Sequence, residues 1–247
     1  MRAGLTVLTL SILATPALAA DDSYRVKLLL GGGYQLGTSS FSEAASFDLY
    51  QETATITTAY TADKAPGLDA GVQFNAFKHV GFSAAVTLYN RDLNGTYSAS
   101  FPHPLYFPDS PLGKPRLATG SVSGKQKETA GHLNVVVFGK SGKVDLSAWA
   151  GISFFKVDAD LLQNVLYSQT YPYDSVTVTS TPQATVSDSP IGFNIGGSAD
   201  WRFSKNVGVG IQGRFAGAKA KFAVPNATAV DVDAGGFQVG AGIRFYF

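Results

Sequence analysis

The sequence predicts an all-β fold, a closed eight-stranded antiparallel transmembrane β-barrel with up-and-down meander connections. Eight stretches of the 247-residue chain alternate apolar with small or polar side chains, the period of strands that have two unlike faces. The links between these stretches are short and long in turn. Beyond the amino-terminal segment, the apolar runs are far shorter than the roughly 20 residues that a membrane helix needs. A protein with these features would cross a membrane with strands.

The amino-terminal residues 1–20 have the pattern of a secretory signal peptide. Arg2 supplies a positive start, residues 5–13 a short apolar core, and Ala17-Leu18-Ala19 a small-residue cleavage site. We therefore expect two parts, a cleaved signal peptide at 1–20 and one barrel domain at 21–247. The chain contains no cysteine, which excludes a disulfide framework and a lipid-anchored cysteine.

The first four predicted strands cover residues 24–37, 67–77, 82–89 and 125–139. Only Lys78, His79 and Val80 separate the second apolar stripe from the third, which predicts a tight hairpin. In the fourth strand the alternation places Leu133 outward and His132 inward.

The last four predicted strands cover residues 143–157, 191–203, 207–215 and 236–247. Strict alternation in the fifth strand turns Trp149 inward, so either this ring fills the lumen or a bulge shifts the register. The eighth strand carries Ile243, Phe245 and Phe247 on its apolar face and Arg244 on the opposite face.

The predicted links differ in length. Those near residues 79, 142 and 205 are short, and the four others are long, at residues 38–66, 101–124, 158–189 and 223–234. Outer-membrane barrels have short periplasmic turns and longer extracellular loops. We therefore expect the long links to be extracellular loops.

The interior of an eight-stranded barrel is just wide enough for side chains to fill it. Inward positions carry charges of both signs, and an unpaired buried charge is costly, so we expect these groups to pair in a polar lumen network. Its predicted members are Arg25, Lys27, Asp69, His132, Asp145, Asp200, Arg202, Arg214 and Arg244.

Composition excludes several other classes of site. A net charge of +1 offers no general attraction for nucleic acid. The three histidines are scattered and the chain has no cysteine, so their spacing predicts no metal site. No cofactor is expected.

At this point the chain resembles the small eight-stranded outer-membrane proteins of the OmpA transmembrane-domain and OmpX type. The resemblance rests on the architecture and on the terminal Ile243-Arg244-Phe245-Tyr246-Phe247. This end is similar to the signal that such proteins present to the barrel assembly machinery, with Ile243, Phe245 and Phe247 as its apolar residues. The resemblance implies a multi-pass protein of the bacterial outer membrane, in contact with outer-membrane lipid and lipopolysaccharide.

The function that this resemblance implies is structural or surface interaction through extracellular loops, without catalysis. Aromatic side chains in the predicted loops are the binding candidates: Phe101, Tyr106, Phe107, Tyr167, Tyr171 and Tyr173. The stretch from Val157 through Trp201 contains no lysine or arginine, so that its loop is acidic and rich in tyrosine.

Two other functions stay open. One is a narrow channel for small or apolar solutes, which would need a discontinuously packed lumen. The other is a lipid-modifying enzyme, for which His132-Leu133-Asn134 is the nearest motif. Related enzymes place a serine two residues after the histidine, whereas Asn134 has no hydroxyl to activate.

Overall fold

The computed structural model describes residues 24–107, 110–223 and 229–247, and the predicted signal peptide lies outside them. These residues form thirteen strands: β1 Val26–Gln35, β2 Ser39–Leu49, β3 Glu52–Ala62, β4 Ala65–Asn75, β5 Val80–Phe101, β6 Arg116–Ser141, β7 Val144–Leu162, β8 Leu166–Ser168, β9 Thr177–Ser180, β10 Gln183–Asp188, β11 Ile191–Arg202, β12 Val207–Phe222 and β13 Val230–Tyr246. In the part of the chain described, no helix is long and apolar enough to span a membrane.

Among the described strands, eight close into a ring, in the order β1, β4, β5, β6, β7, β11, β12 and β13. Every neighbouring pair is antiparallel, and β13 pairs with β1 to close the ring. The predicted fold class is therefore confirmed, and each ring strand overlaps one of the eight predicted stretches, although several strands extend further towards the loop end.

The strands are staggered round the ring. A path of paired residues that starts at Val26 and crosses every strand returns to β1 at Leu36, ten residues further along. A closed barrel requires strands that are tilted relative to the barrel axis, and a stagger of the hydrogen-bond register accompanies that tilt. The structure has two ends: the turn end, with the short links near residues 79, 142 and 205, and the loop end, with the long links.

The turn-end half of the ring is wrapped by exposed apolar side chains, which we call the apolar belt. Every ring strand contributes to it, and its members include Leu30, Leu68, Val86, Leu133, Ile152, Ile195, Ile211 and Val239. Exposed aromatic rings, among them Phe77, Trp201 and Phe203, lie at its turn-end edge. An apolar band with aromatic edges is the outer surface of a transmembrane barrel.

Beyond the belt the strands continue, but their outward face becomes polar and their inward face becomes apolar. On β5 the outward side chains change from Leu88 to the exposed Asn90 and Asp92, while Leu93 and Tyr97 are buried inside. The loop-end half of the ring thus has the polarity of a water-soluble β-structure, with an apolar interior that we call the loop-end chamber.

The long links are therefore shorter than predicted. The region 101–124, predicted as a loop, includes the last residue of β5 and the first nine residues of β6. The region 38–66 is mostly the hairpin of β2 and β3, whose two-residue turn holds Tyr50 and Gln51 at positive φ. The predicted strands end where the outward side chains become polar. Buried and exposed residues still alternate beyond that point, but there the buried side chains are apolar and the exposed ones are polar.

Candidate functional site

The turn-end layer of the interior is built round Asp200 of β11. Its carboxylate accepts from the ammonium group of Lys27 at 2.8 Å and from Nε of Arg244 at 3.0 Å. Beside it, Arg202 pairs with Asp145 at 2.9 Å. All five side chains occupy inward positions of the ring strands, and the pairings offset the cost of burying their charges.

Arg25 lies outside this network, contrary to the prediction. It precedes β1, and its side chain is exposed at the turn-end rim. The alternation that placed it inward needs a strand, and the strand begins only at Val26.

The middle layer of the interior is centred on Asp69 of β4. Arg214 donates to this carboxylate at 2.9 Å and the side-chain amide of Gln212 donates at 2.6 Å. The indole ring of Trp149 lies against the Arg214 guanidinium group, with 5.9 Å between the Arg214 Cζ atom and the ring centroid. Because β7 pairs with both neighbours without a register shift, Trp149 points inward by regular alternation and no bulge is present there.

Little space remains around this layer. A cavity of about 40 Å³ is lined by Trp149, Gln212, Arg214 and neighbouring inward side chains. At roughly 10–15 Å³ for each water, it has room for about three molecules.

His132 lies in the next layer towards the loop end. Its Nδ1 atom is 2.8 Å from the hydroxyl of Ser153, and its Nε2 atom is 3.1 Å from the hydroxyl of Thr87. The side-chain amide of Asn194 also donates to Ser153, at 3.0 Å. Ser153 is the cross-strand partner of His132 on β7, and only the strand register brings the two together, so the sequence of either strand alone does not predict the contact.

The last polar layer contains Arg91 and Glu128, which lie where the interior changes from polar to apolar. Arg91 donates to Glu128 at 3.0 Å, and the backbone N–H of Gly235 donates to the same carboxylate at 2.9 Å. Arg91 also binds the carbonyl oxygens of Asp63, Gly37 and Ala62. Arg91 is not among the predicted members of the network, because the third predicted strand ends at residue 89 whereas β5 continues to Phe101.

The loop-end chamber is filled by apolar side chains and covered by the segment that follows β7. Its buried residues include Leu93, Tyr97, Val122, Val157, Leu161 and Phe222. The backbone N–H of Leu162 donates to the hydroxyl oxygen of Tyr60 at 2.7 Å, which ties the end of β7 to β3. A cavity of about 610 Å³ lies between the β2–β3 hairpin and this covering segment.

The predicted loop-binding aromatics differ in exposure, and Tyr167 is partly buried against the chamber. Phe101 is buried and packs on Tyr167 with 4.6 Å between ring centroids, so it belongs to the interior and is not a surface binding residue. Tyr106, Phe107 and Tyr171 are exposed, the last two by 71% and 77%. Tyr173 is half-buried, with its ring centroid 5.9 Å from that of Tyr171.

The carboxyl-terminal residues lie on the closing strand. Ile243 and Phe247 are exposed on the outward face, and Phe245 is half-buried on the same face. The backbone of Phe247 exchanges hydrogen bonds with Val26, at 2.9 and 3.0 Å. Their role as an assembly signal stays a prediction.

Comparison with known proteins shows the fold. No protein-family model and no curated protein sequence matches the chain. The outer membrane protein OprG from Pseudomonas aeruginosa is similar in structure, with a TM-score of 0.50, 11% identity and coverage of 92% of this chain and 98% of OprG. Neisserial surface protein A gives a TM-score of 0.43 at 11% identity, over 89% of this chain and 97% of its own. The outer membrane protease OmpT from Escherichia coli gives 0.44 at 9% identity, over 90% and 97%. The chain therefore has the fold of the small outer-membrane β-barrels, of which OprG is one.

Proposed function

We propose that the protein is a closed barrel of the bacterial outer membrane that presents its loop end at the cell surface for interaction with a partner outside. It neither conducts solutes nor catalyses a reaction. The observation that carries this proposal is the filled interior, because side chains occupy the polar half and apolar packing occupies the loop-end chamber.

The filled interior weighs against the narrow channel that the sequence left open. A solute would have to pass the Trp149 and Arg214 layer, where the cavity holds only about 40 Å³. It would then meet the Arg91 and Glu128 pair, whose separation would leave two buried charges without their counter-charges. A continuous aqueous path would therefore need the interior side chains to rearrange.

The interior also supports a structural role for His132. Its hydrogen bond to Ser153 has the distance of a nucleophile and base pair, but the two side chains are only 1% and 0% exposed. The second ring nitrogen faces the Thr87 hydroxyl, whereas an orienting carboxylate is the usual third member of such a triad. A substrate acyl group would have no route to the serine through the packed interior.

Surface interaction is supported by the shape of the loop end. Strands β5, β6 and β7 extend well beyond the apolar belt. Exposed aromatic side chains lie on the link between β5 and β6 and on the segment that follows β7. A rigid scaffold that carries exposed loops is the usual arrangement of a binding surface. The belt itself would contact outer-membrane lipid and lipopolysaccharide, and the barrel assembly machinery would insert the chain through its closing strand.

The experiment that tests the proposal is single-channel recording. The refolded protein is reconstituted in a planar bilayer, and a general porin in the same bilayer serves as the positive control. We expect no discrete conductance steps from folded protein, whose state is verified by its heat-dependent mobility on gels. Reproducible steps that scale with the amount of folded protein would overturn the closed barrel and favour the channel.

A further inference from the structure

Glu43 is an acidic side chain on an otherwise apolar face. It lies in the middle of β2, where its inward neighbours Phe41, Ala45 and Phe47 are partly buried against the chamber. Glu43 is only 3% exposed, and neither carboxylate oxygen has a hydrogen-bond partner within the part of the chain that the structure describes. Burying a carboxylate in this way is costly unless it holds a proton or a cation pairs with it, so a cationic group at this position would stabilise the charged form of Glu43.

A cavity adjoins this carboxyl group. Glu43 lines a recess of about 10 Å³ that shares four wall residues, Ala45, Ile56, Gln163 and Asn164, with the 610 Å³ cavity at the loop end. The volume is within the range of about 300–1,000 Å³ that is typical of small-molecule sites. Apolar walls with a few polar groups are also typical of such sites. Here Phe47, Ile56 and Tyr167 lie beside the polar Gln163 and Asn164, and Glu43 lies behind them in the adjoining recess.

The surroundings of the cavity favour a cation. The aromatic side chains of Phe47 and Tyr167 line it, and aromatic faces attract cations. The two segments that supply its wall residues, 45–56 and 163–182, contain three acidic residues and no lysine or arginine. Arg116 lies near Tyr167, but its guanidinium group donates hydrogen bonds to the carbonyl oxygen of Pro102 at 2.6 Å and to the side-chain oxygen of Gln169 at 2.7 Å.

We propose that this cavity binds a small apolar molecule that carries one protonated amine. The ammonium group pairs with Glu43, and the apolar body packs against Phe47, Ile56 and Tyr167. A single amine supplies the hydrogen-bond donors and the counter-charge that the buried carboxylate lacks. This site lies between the β2–β3 hairpin and the covering segment, at the margin of the packed loop-end chamber, so the proposal does not depend on whether the barrel conducts.

The proposal predicts a direction for the pH dependence. Burial raises the pKa of Glu43 to about 7, so the carboxylate that binds the amine forms as the pH rises through neutrality. The other titratable groups near it are tyrosines: Tyr60 on β3, whose pKa burial raises to about 12, and Tyr167 on the covering segment, whose pKa burial also raises. Both tyrosines stay neutral in this range, so amine binding should tighten as the pH rises from about 6 to about 8.

The test is calorimetric titration of the refolded protein in a nonionic detergent, with titration of empty micelles subtracted. The probes are adamantan-1-amine and adamantan-1-ol, which share one apolar body and differ in charge. At about pH 8 we expect one saturable site for the amine, and binding weaker by about tenfold or more for the alcohol. Glu43→Gln should weaken amine binding by a similar factor. Asp48→Asn, an exposed acid on the same strand, is the matched control and should leave it unchanged.

Three results would overturn the proposal: no saturable amine binding at millimolar probe, equal affinity of wild-type protein for the two probes, or equal amine affinity in wild type and Glu43→Gln. The comparison of the two probes uses wild-type protein alone, so it remains decisive even if the variant folds poorly. Gel mobility before and after heating reports whether each variant has folded.

Discussion

Arg91 donates a 3.0 Å hydrogen bond to Glu128 at the level of the barrel where the outer surface changes from apolar to polar and the interior changes from polar to apolar. Towards the turn end, the interior is polar and the exterior is the apolar belt. Towards the loop end, Leu93 and its neighbours make the interior apolar, and Asp92 and similar residues make the exterior polar. The pair thus closes the polar interior against the loop-end chamber.

We expect the loss of one member of this pair to be more harmful than the loss of both. Arg91→Met leaves the Glu128 charge buried without its cation and should lower the free energy of unfolding by about 3–5 kcal/mol. The double variant Arg91→Met and Glu128→Met removes both charges and should lose much less. Urea unfolding in micelles, followed by tryptophan fluorescence, measures both. A double variant as unstable as the single one would show that the carbonyl contacts of Arg91 matter more than its charge partner.

The assignment of the apolar belt predicts where an arginine is tolerated on the outward face. Ile195→Arg places a charge in the belt and should cost about 2–4 kcal/mol, because the lipid interior solvates it poorly. Thr96→Arg lies on the outward face of β5 beyond the belt and should be almost neutral. The folded fraction after refolding into lipid vesicles, read from heat-dependent gel mobility, measures the difference. Equal yields from the two variants would contradict the assigned boundary.

The strands of the belt could be predicted from sequence because lipid on one side and a packed polar lumen on the other enforce alternation. Adjacent residues show this alternation: outward Leu133 follows inward His132, and outward Ile195 follows inward Asn194. Hydrocarbon provides no partner for an open strand edge, so the same physics predicts that the sheet closes. The number of ring strands, and the face of the barrel to which their side chains point, could therefore be predicted from the sequence alone.

The loop end and the site were harder to predict, for two physical reasons. Beyond residue 89 the alternation continues with its faces exchanged, so Arg91 lies past the end of the third predicted strand, and Phe101, the first residue of a predicted loop, is predicted as a binding residue although it is buried. Contacts between strands also depend on register, and the pairing of His132 with Ser153 or of Tyr60 with Leu162 cannot be derived from one strand at a time. The buried position of Glu43 depends in the same way on how the hairpin folds over the chamber.

The proposed orientation can be tested with single cysteines, because the natural chain has none. Thr96→Cys is exposed at the loop end and Lys205→Cys is exposed at the turn end. In intact cells a membrane-impermeant maleimide should label the first and spare the second, since outer-membrane barrels place long loops outside. After cell lysis both should react, which controls for the reactivity of each thiol. Labelling of Lys205→Cys alone in intact cells would reverse the orientation and remove the loop end from the cell surface.

The stability of the β2–β3 hairpin should fall as the pH rises, because of Glu43. Burial raises the pKa of this carboxyl group from its ordinary 4.5 to about 7, so between these values the closed hairpin holds a proton that the open hairpin releases. The stabilising contribution is complete below about pH 4.5 and is lost as the pH rises through 7. Hydrogen exchange of the β2 and β3 amides, corrected for intrinsic rates, should therefore show more frequent opening at about pH 8 than at about pH 5. Glu43→Gln should flatten this dependence and Asp48→Asn should preserve it; a pH dependence that survives in Glu43→Gln would assign it to another group.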